Sequence, residues 1–547
     1  MSKNGETCGK GVNGVNNNGR AVGIGRVNSV NKINRAGGDN CVNGVNCTDC
    51  VNNVNNVGGI ASVNSVNYVN CVNKGSESRD GCGVPFVWDA VVVGGGPAGL
   101  ICAEIASGGG RNRVIVLEKK SSCGRKLLIT GQSQCNMTHG GDIKEFFGHY
   151  GGNGQFLKAS LMGFSNRDLL KSFEMRGLKT ETDGNGKVFP VSRRAADVLE
   201  VLLKRAEECG VEIRCGEPVR SAAFVGGDGR DDGGVGDGSV DENNGDNGGG
   251  IFEISTDERR YYAKNLVIAC GGMTYPATGS EGDGYGLAES FGHTIAPVAP
   301  ALCAFVIGDY QFASLSGISF PNAAISLYHG NKKIRENAGD ILFTHKGVSG
   351  PGILHISRYA EKGDFIRVSF IEGMTAEKFR ESLTRLAAEN PKKLVKSVLS
   401  GIGGAVGGNV GNGGKGAGKG NVGGGNAGHE ATVIPERFVR RVMEIAGIDE
   451  GVTCAHLTKE SRNRLAEAFC DCKLAIAALG GINEAMVTRG GVSLKEINPK
   501  TMESKLCKGL YFAGEVMDID GETGGYNLQA AFSTGYAAGA AIDKKLH

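Results

Sequence analysis

Apolar and polar positions along this 547-residue chain change rhythm several times, and each change marks an element. From Phe86, "FVWDAVVVGGGPAGLICAEIASGG" runs as a short apolar block, a glycine turn and a longer apolar stretch, which predicts a buried strand followed by a helix. "RVIVLEK" predicts a second strand ending at Glu118, and "YYAKNLVIACGG" a third, Leu266 to Ala269, again ending in glycine. Near the end, "KGLYFAGEVMDIDGETGGYN" predicts a strand running into Gly514-Glu515. The stretch from Gly514 to Gly539 then continues into a helix of small side chains. Between Ala296 and Phe370, "AFVIGD", "AAISLYHG" and "FIRVSFIEG" alternate as short strands do. From Ala376 to Leu399, and again from Pro435 to Ala478, apolar residues recur at helical spacing.

Three tracts have neither rhythm, and they hold many of the chain's 91 glycines. Residues 1–84 repeat Val-Asn and Gly units, residues 226–250 are acidic, and residues 401–428 are almost only Gly, Asn, Val, Ala and Lys. None offers apolar surface to offset ordering entropy, so all three read as disordered. The internal two read as expanded surface loops, since long insertions cost little closure entropy. The N-terminal tract is poor in acids and has scattered Arg and Lys, which admits organellar import. It is Asn-rich without an amphipathic face, which favours a cytoplasmic protein.

Charge and cysteine content narrow the class further. The formal net charge of +2 gives no global pull towards nucleic acid, and removing the acidic loop leaves the remainder only mildly basic. The most apolar stretch, Phe86 to Ala106, is interrupted by Asp89, Glu104 and a Gly-Pro turn, so no membrane span is expected. Seventeen cysteines without a secretory apolar region point to reduced thiols. Cys47 and Cys50 form a single CxxC with no second pair at zinc spacing, and no metal is expected.

The chemistry sits in the first βα unit. Gly94, Gly96 and Gly99 fit G-x-G-x-x-G between a strand and a helix, the context that gives the pattern meaning. The first glycine makes the turn, the second lets backbone approach a pyrophosphate, and the third lets helix and strand pack. The pyrophosphate then meets the helix N-terminus, at Pro97 and Ala98. Glu118 lies about twenty positions on, where a ribose hydroxyl is gripped. A basic, polar loop follows instead of another regular unit, and the remaining strands lie far downstream. That three-part split is characteristic of FAD enzymes of the glutathione-reductase type, with the carboxylate of Glu515 at the ribityl chain and the closing helix aimed at the flavin.

Several separate stretches, in order from 86 to 541, also resemble a known family: "VVVGGGPAGL", "GRKLLITG" with "CNMTH", "GKVFPVSRRAADVL", "CGGMTYPATGSEGDGYGLAESFGHTI", "ILFTHKGVSGPGIL" and the C-terminal run from "AMVTRGG" to "AAFSTG". They resemble the BaiN/RdsA-type flavoproteins, also known as aminoacetone-oxidase-family or HI-type NAD(P)/FAD-dependent oxidoreductases. The resemblance implies an α/β fold in which a Rossmann-like FAD-binding domain is interrupted by an insert of small β-barrel plus helical bundle. The corresponding divisions are a disordered tract 1–84, a first FAD-binding part 85–295, an insert 296–498 and a second FAD-binding part 499–547. It also implies cofactor contacts at Lys119, Arg125 and Lys126, at Gly131 and Asn136, and at Val219 and Gly271. At the C-terminal segment it adds Gly514, Gly525, Tyr526, Asn527 and Leu528. One loop departs: Gly131-Gln132-Ser133-Gln134 stands where the family usually carries Gly-Gly-Gly-Arg or Gly-Asn-Gly-Arg before Cys-Asn.

Activities in such a family include reduction of conjugated carbon–carbon double bonds in bile-acid steroids and of uridine to dihydrouridine in ribosomal RNA. The expected function is therefore hydride transfer through flavin to or from a carbonyl-conjugated C=C of a small molecule, with NAD(P)H as transient reductant. Ribosomal RNA is the alternative substrate, and a non-catalytic flavoprotein with partner-recruiting arms is a second alternative. Substrate-side proton donors are sought at Cys135, Tyr275 and His345. Each has a plainer reading, as a buried small residue, a packing aromatic before Pro276 and a barrel hydrogen bonder.

Overall fold

The structure is a computed structural model that describes residues 86–226, 250–402 and 434–547. Residues 1–84 and nearly all of 226–250 and 401–428 lie outside the described residues. Gly401 and Ile402 are a correction: Gly401 ends the helix Val395–Gly401, and Ile402 is fully buried. Ile402 follows Val398 and Leu399 at helical spacing and caps the helix, so the ordered helix end runs one residue, Gly401, into the stretch read as low complexity.

Five parallel strands form the central sheet: β1 (Ala90–Val93), β2 (Val114–Glu118), β3 (Glu212–Cys215), β4 (Leu266–Ile268) and β5 (Leu510–Phe512). Their order is β5-β4-β1-β2-β3. The register aligns Val93 with Leu117 on one side and Ile268 on the other, and Ile268 with Phe512. Segments hundreds of residues apart thus become neighbours. β1, β4 and β5 are buried throughout, which is why they read as continuous apolar runs.

The helix Pro97–Ala106 packs beside the C-terminal helix Tyr526–Leu546. The small residues of the latter have a physical cause. A Cβ on Gly535 would stand 2.3 Å from the carbonyl oxygen of Ala98, and one on Gly539 2.6 Å from that of Cys102. The two backbones touch, and only glycine permits it.

The segment after the sheet's fourth strand builds a second core. Phe305–Ile307, Gly347–Ser349, Lys332–Phe343, Ser319–His329, Phe365–Ser369 and Cys472–Leu479 close into a six-stranded barrel. Phe320, Phe343 and Phe370 cluster on Phe438 of the helix Glu436–Ile445, beneath further helices at Ala376–Glu389 and Lys459–Cys470. Helical spacing from Pro435 to Ala478 is only partly right, because Cys472–Leu479 is a strand. There Leu474 and Ile476 are buried while Lys473, Ala475 and Ala477 are exposed, a period of two that alanine-rich composition disguises. The barrel needs this strand to close between Phe305–Ile307 and Phe365–Ser369. An antiparallel ribbon, Ile295–Ala301 with Val487–Val492, flanks the entry and exit of this segment.

Candidate functional site

A cavity of about 400 Å3 runs along the C-terminal ends of β1, β2, β4 and β5. Its geometry begins with the glycines. Gly94 has φ +110° and backbone so near Ala269 that a Cβ would stand 2.5 Å from its oxygen. A Cβ on Gly99 would stand 2.0 Å from the oxygen of Gly94. Gly96 differs: a Cβ there meets nothing within 4 Å, because it faces the cavity. Gly96 is also the N-cap of the first helix, and no side chain caps those amides. The C-terminal helix likewise starts at Gly525 without a side-chain cap. Two helix starts therefore meet one cavity, which favours anionic groups.

Glu118 forms the far wall. Its two carboxylate oxygens accept from the amides of Gly95 (2.9 Å) and Lys120 (2.8 Å). Burial pushes its pKa up, and these amide bonds oppose that. Each oxygen keeps a further lone pair, so the ribose role remains open to it. Lys119 pairs with Asp283 and Glu281, and all three line the cavity. Val219, Gly271 and Arg125 line the same cavity.

Lys126 and Glu515 form its floor, Nζ to Oε2 at 2.8 Å, with Thr274 Oγ1 accepting from the same Nζ at 2.8 Å. The amide of Thr488 donates to Glu515 Oε1 at 2.8 Å. Thr274 and Thr488 were not singled out from the sequence, although both lie inside quoted stretches, "CGGMTYPATGSEGDG" and "AMVTRGG". Gly514, Asn527 and Leu528 complete the wall.

Other expected residues sit behind the lining. Gly99 packs the helix onto its turn, and Gly131 belongs to the loop beside Asn136. With its amide oxygen facing the C-terminal helix, Asn136 accepts from the Gly525 amide at 3.0 Å and donates to Thr138 at 2.8 Å. It holds the helix start in place. Tyr526 lies between two imidazoles, 4.0 Å from His149 and 5.3 Å from His139 by ring centroids.

None of the three donor candidates lines the cavity. Cys135 is fully buried, and burial pushes its thiol up to about 12. Tyr275 adopts φ +55° ahead of Pro276, its amide donating to Ile482 O. His345 is exposed on a barrel turn. Among the described residues no group of three or more His, Cys, Asp or Glu is arranged to hold a metal, and no helix is long and apolar enough to cross a membrane.

The test of fit to an adenine dinucleotide is the open cradle at Gly96 between strand, helix and acid, and these residues fit FAD. A parallel sheet with this glycine turn, joined to a small closed barrel, defines an FAD-dependent oxidoreductase of the Rossmann type. The model of one such family, the HI0933-like protein Rossmann domain, matches residues 88–541, and the chain belongs to that family. It is 30% identical over 461 residues to the 3-dehydro-bile acid delta(4,6)-reductase of Clostridium scindens, covering 83% of this chain and 98% of that one. It is 28% identical over 453 residues to the ribosomal RNA dihydrouridine synthase of Escherichia coli, covering 82% and 96%. The Haemophilus influenzae protein of the same name is 27% identical over 458 residues, covering 83% and 98%. The resemblance to BaiN/RdsA-type flavoproteins holds.

Proposed function

We propose that this protein reduces a carbon–carbon double bond conjugated to a carbonyl in a small molecule, with NAD(P)H as the transient reductant. The cavity carries the reading: one space of about 400 Å3 is lined by Gly96 and Glu118 and also by Gly514, Asn527 and Leu528. In this reading the free amides of Ala98 and Gly99, at the start of the first helix, hold the pyrophosphate and the Glu118 carboxylate holds the adenosine ribose. Glu515, fixed by Lys126, orients the ribityl chain. The amides beginning at Tyr526 face the flavin. FAD, when bound, supplies a hydride donor and acceptor. The chain's own task is to orient substrate, exclude water and deliver one proton.

Identity with a bile-acid reductase supports an enone substrate. The relatives named as ribosomal RNA dihydrouridine synthases support a second reading, because uridine carries the same conjugated carbonyl and C=C. The recruiting-arm alternative rests on tracts outside the described residues.

The test is to reduce the flavin photochemically without oxygen, then offer steroid enones, smaller enones and ribosomal RNA. Reoxidation by an enone with formation of the saturated ketone supports the reading. Reoxidation by RNA alone replaces it with the second, and reoxidation by neither removes both.

A further inference from the structure

Beside the start of the C-terminal helix lies a cluster that no motif marked. His149 Nδ1 is 2.7 Å from Glu522 Oε2, and the Glu522 amide donates to the carbonyl of His149 at 3.0 Å. The same carbonyl accepts from Arg358 at 3.3 Å, and Tyr150 donates its hydroxyl to Tyr526 O at 2.8 Å. The His149 ring lies flat on Tyr526, with an interplanar angle of 12°. Main-chain bonds, a carboxylate and a stacked ring fix one imidazole in one orientation.

The cluster adjoins the cavity through Asn527, while His149 and Glu522 themselves lie outside its lining. Asn527, which lines it, accepts from the Gly521 amide at 2.7 Å and donates to the carbonyls of Gly521 (2.9 Å) and Glu522 (3.3 Å). The three neighbouring histidines are not equivalent. His139 has both ring nitrogens on carbonyl oxygens, those of Gly140 and Asn185, and His355 has Nε2 on the Thr523 hydroxyl. His149 alone combines a carboxylate on Nδ1 with an Nε2 that makes no hydrogen bond among the described residues. A ring so held keeps its Nδ1 proton and presents Nε2 for proton transfer.

Resting on the function proposed above, we propose that His149, oriented by Glu522, is the acid that delivers the proton to the reduced substrate. Hydride addition to the β-carbon leaves the former C=C electron pair shared between the α-carbon and the carbonyl oxygen. His149 Nε2–H gives its proton to the α-carbon, forming the second C–H bond. The imidazole is left neutral and regains a proton from water, since its side chain is 35% exposed. Two electrons and one hydrogen come with the hydride and one proton comes from His149, which saturates the bond. Glu522 is a positioning residue.

The surrounding charges act on the same groups. Around Glu522, burial alone would raise its pKa, but His149, His355 and Arg358 outweigh it and hold the carboxyl down. Burial holds His355 low, with Glu522 opposing and His149 and Lys187 reinforcing. Glu145 and Glu522 face Tyr526.

The test uses FAD-loaded protein and two substitutions, His149→Phe, which keeps a ring on Tyr526, and His149→Asn. Flavin content and photoreduction are measured first, then reoxidation by an enone across pH 5–9. Wild-type reoxidation falls with rising pH. Both variants keep their flavin, reoxidise it 10²–10⁴-fold more slowly and lose that pH limb. Imidazole NMR of Glu522→Gln loses the low-field Nδ1–H signal of His149 with FAD still bound. Wild-type rate and pH profile in His149→Phe overturn the assignment alone, because packing is then all the ring supplies. A wild-type flavin that no C=C acceptor reoxidises overturns the underlying reading together with the assignment.

Discussion

Lys126 and Glu515 stand 389 residues apart in the chain and 2.8 Å apart in the cavity floor. Their side chains are 21% and 20% exposed, so water screens the pair only partly. The contact fastens the short helix Arg125–Ile129, which interrupts the loop expected after β2, to the segment after β5. Because Thr274 and the Thr488 amide join the same pair, four regions of the chain converge on one carboxylate.

Breaking that contact loosens the cofactor. Lys126→Met and Glu515→Gln are each expected to weaken FAD binding by about 1.5–3 kcal/mol, the scale of hydrogen bonds to charged groups. The double variant loses less than the two singles together, since they share one interaction. Fluorescence titration of the apoprotein with FAD measures all three. Strict additivity would mean that the pair does not act as a unit.

Glu118 addresses the other end. The protein is expected to release FAD, not FMN, on denaturation, because an adenosine ribose is what a carboxylate ending the second strand recognises. Glu118→Ala leaves the Gly95 and Lys120 amides and a ribose hydroxyl without their acceptor. Affinity for FAD falls by about 1–3 kcal/mol. FMN affinity should not change, and FMN as the only released flavin would defeat the assignment.

Ser133 holds φ +67° between Gln132 at +56° and Cys135 at +59°, in the loop that departs from the family pattern. Left-handed backbone costs a non-glycine residue about 1–2 kcal/mol. Ser133→Gly therefore stabilises the protein by about 1 kcal/mol after the greater unfolded-state freedom of glycine is offset. Ser133→Val destabilises it. Denaturant midpoints read both, and a destabilised Ser133→Gly would place the Ser133 hydroxyl above backbone strain.

That loop shows where sequence reading stops. β1, β2, β4 and β5 were legible because both-face burial makes uninterrupted apolar runs, and Gly94–Gly99 because turn and phosphate geometry leave few alternatives. The strand Cys472–Leu479 was hidden by alanine, whose helical propensity competes with the alternation that the barrel enforces. The His149–Glu522 contact was hidden for a different reason. Its partners are 373 residues apart, and neither sits in a spacing that local chemistry requires. Tertiary closure alone creates it.

His293 gives the fold a pH dependence. Its side chain is wholly shielded, Nε2 lies 2.7 Å from Ser504 Oγ, and burial pushes its pKa down despite Glu496. In the unfolded chain it titrates near 6.5, about the usual value. Below that pH the unfolded chain binds the proton first, so stability present above about 6.5 is lost as pH falls through the lower folded value. Melting temperatures from pH 8 down to 5 should fall for the wild type and fall less for His293→Gln. Parallel curves would assign the acid loss to other groups, His355 among them.

The last prediction concerns the entry of reducing equivalents. The described residues between Gly272 and Lys508 form a barrel, helices and an antiparallel ribbon, and among them no second strand–glycine–helix unit stands in the parallel sheet. The one such unit, at Gly94–Gly99, is assigned to FAD. NAD(P)H is then expected to dock transiently in the space that substrate also uses, near Met486 and Val487 at the cavity wall. Nicotinamide must leave before substrate enters, which gives ping-pong kinetics with parallel double-reciprocal lines. Saturation of flavin reduction by NADPH or NADH should be weak, and excess of either should inhibit competitively against the enone. Anaerobic stopped-flow mixing measures the first half-reaction, and product-inhibition patterns measure the second. Tight stoichiometric NADPH binding that persists beside bound substrate would require two separate sites, and the shared-cavity reading would fall.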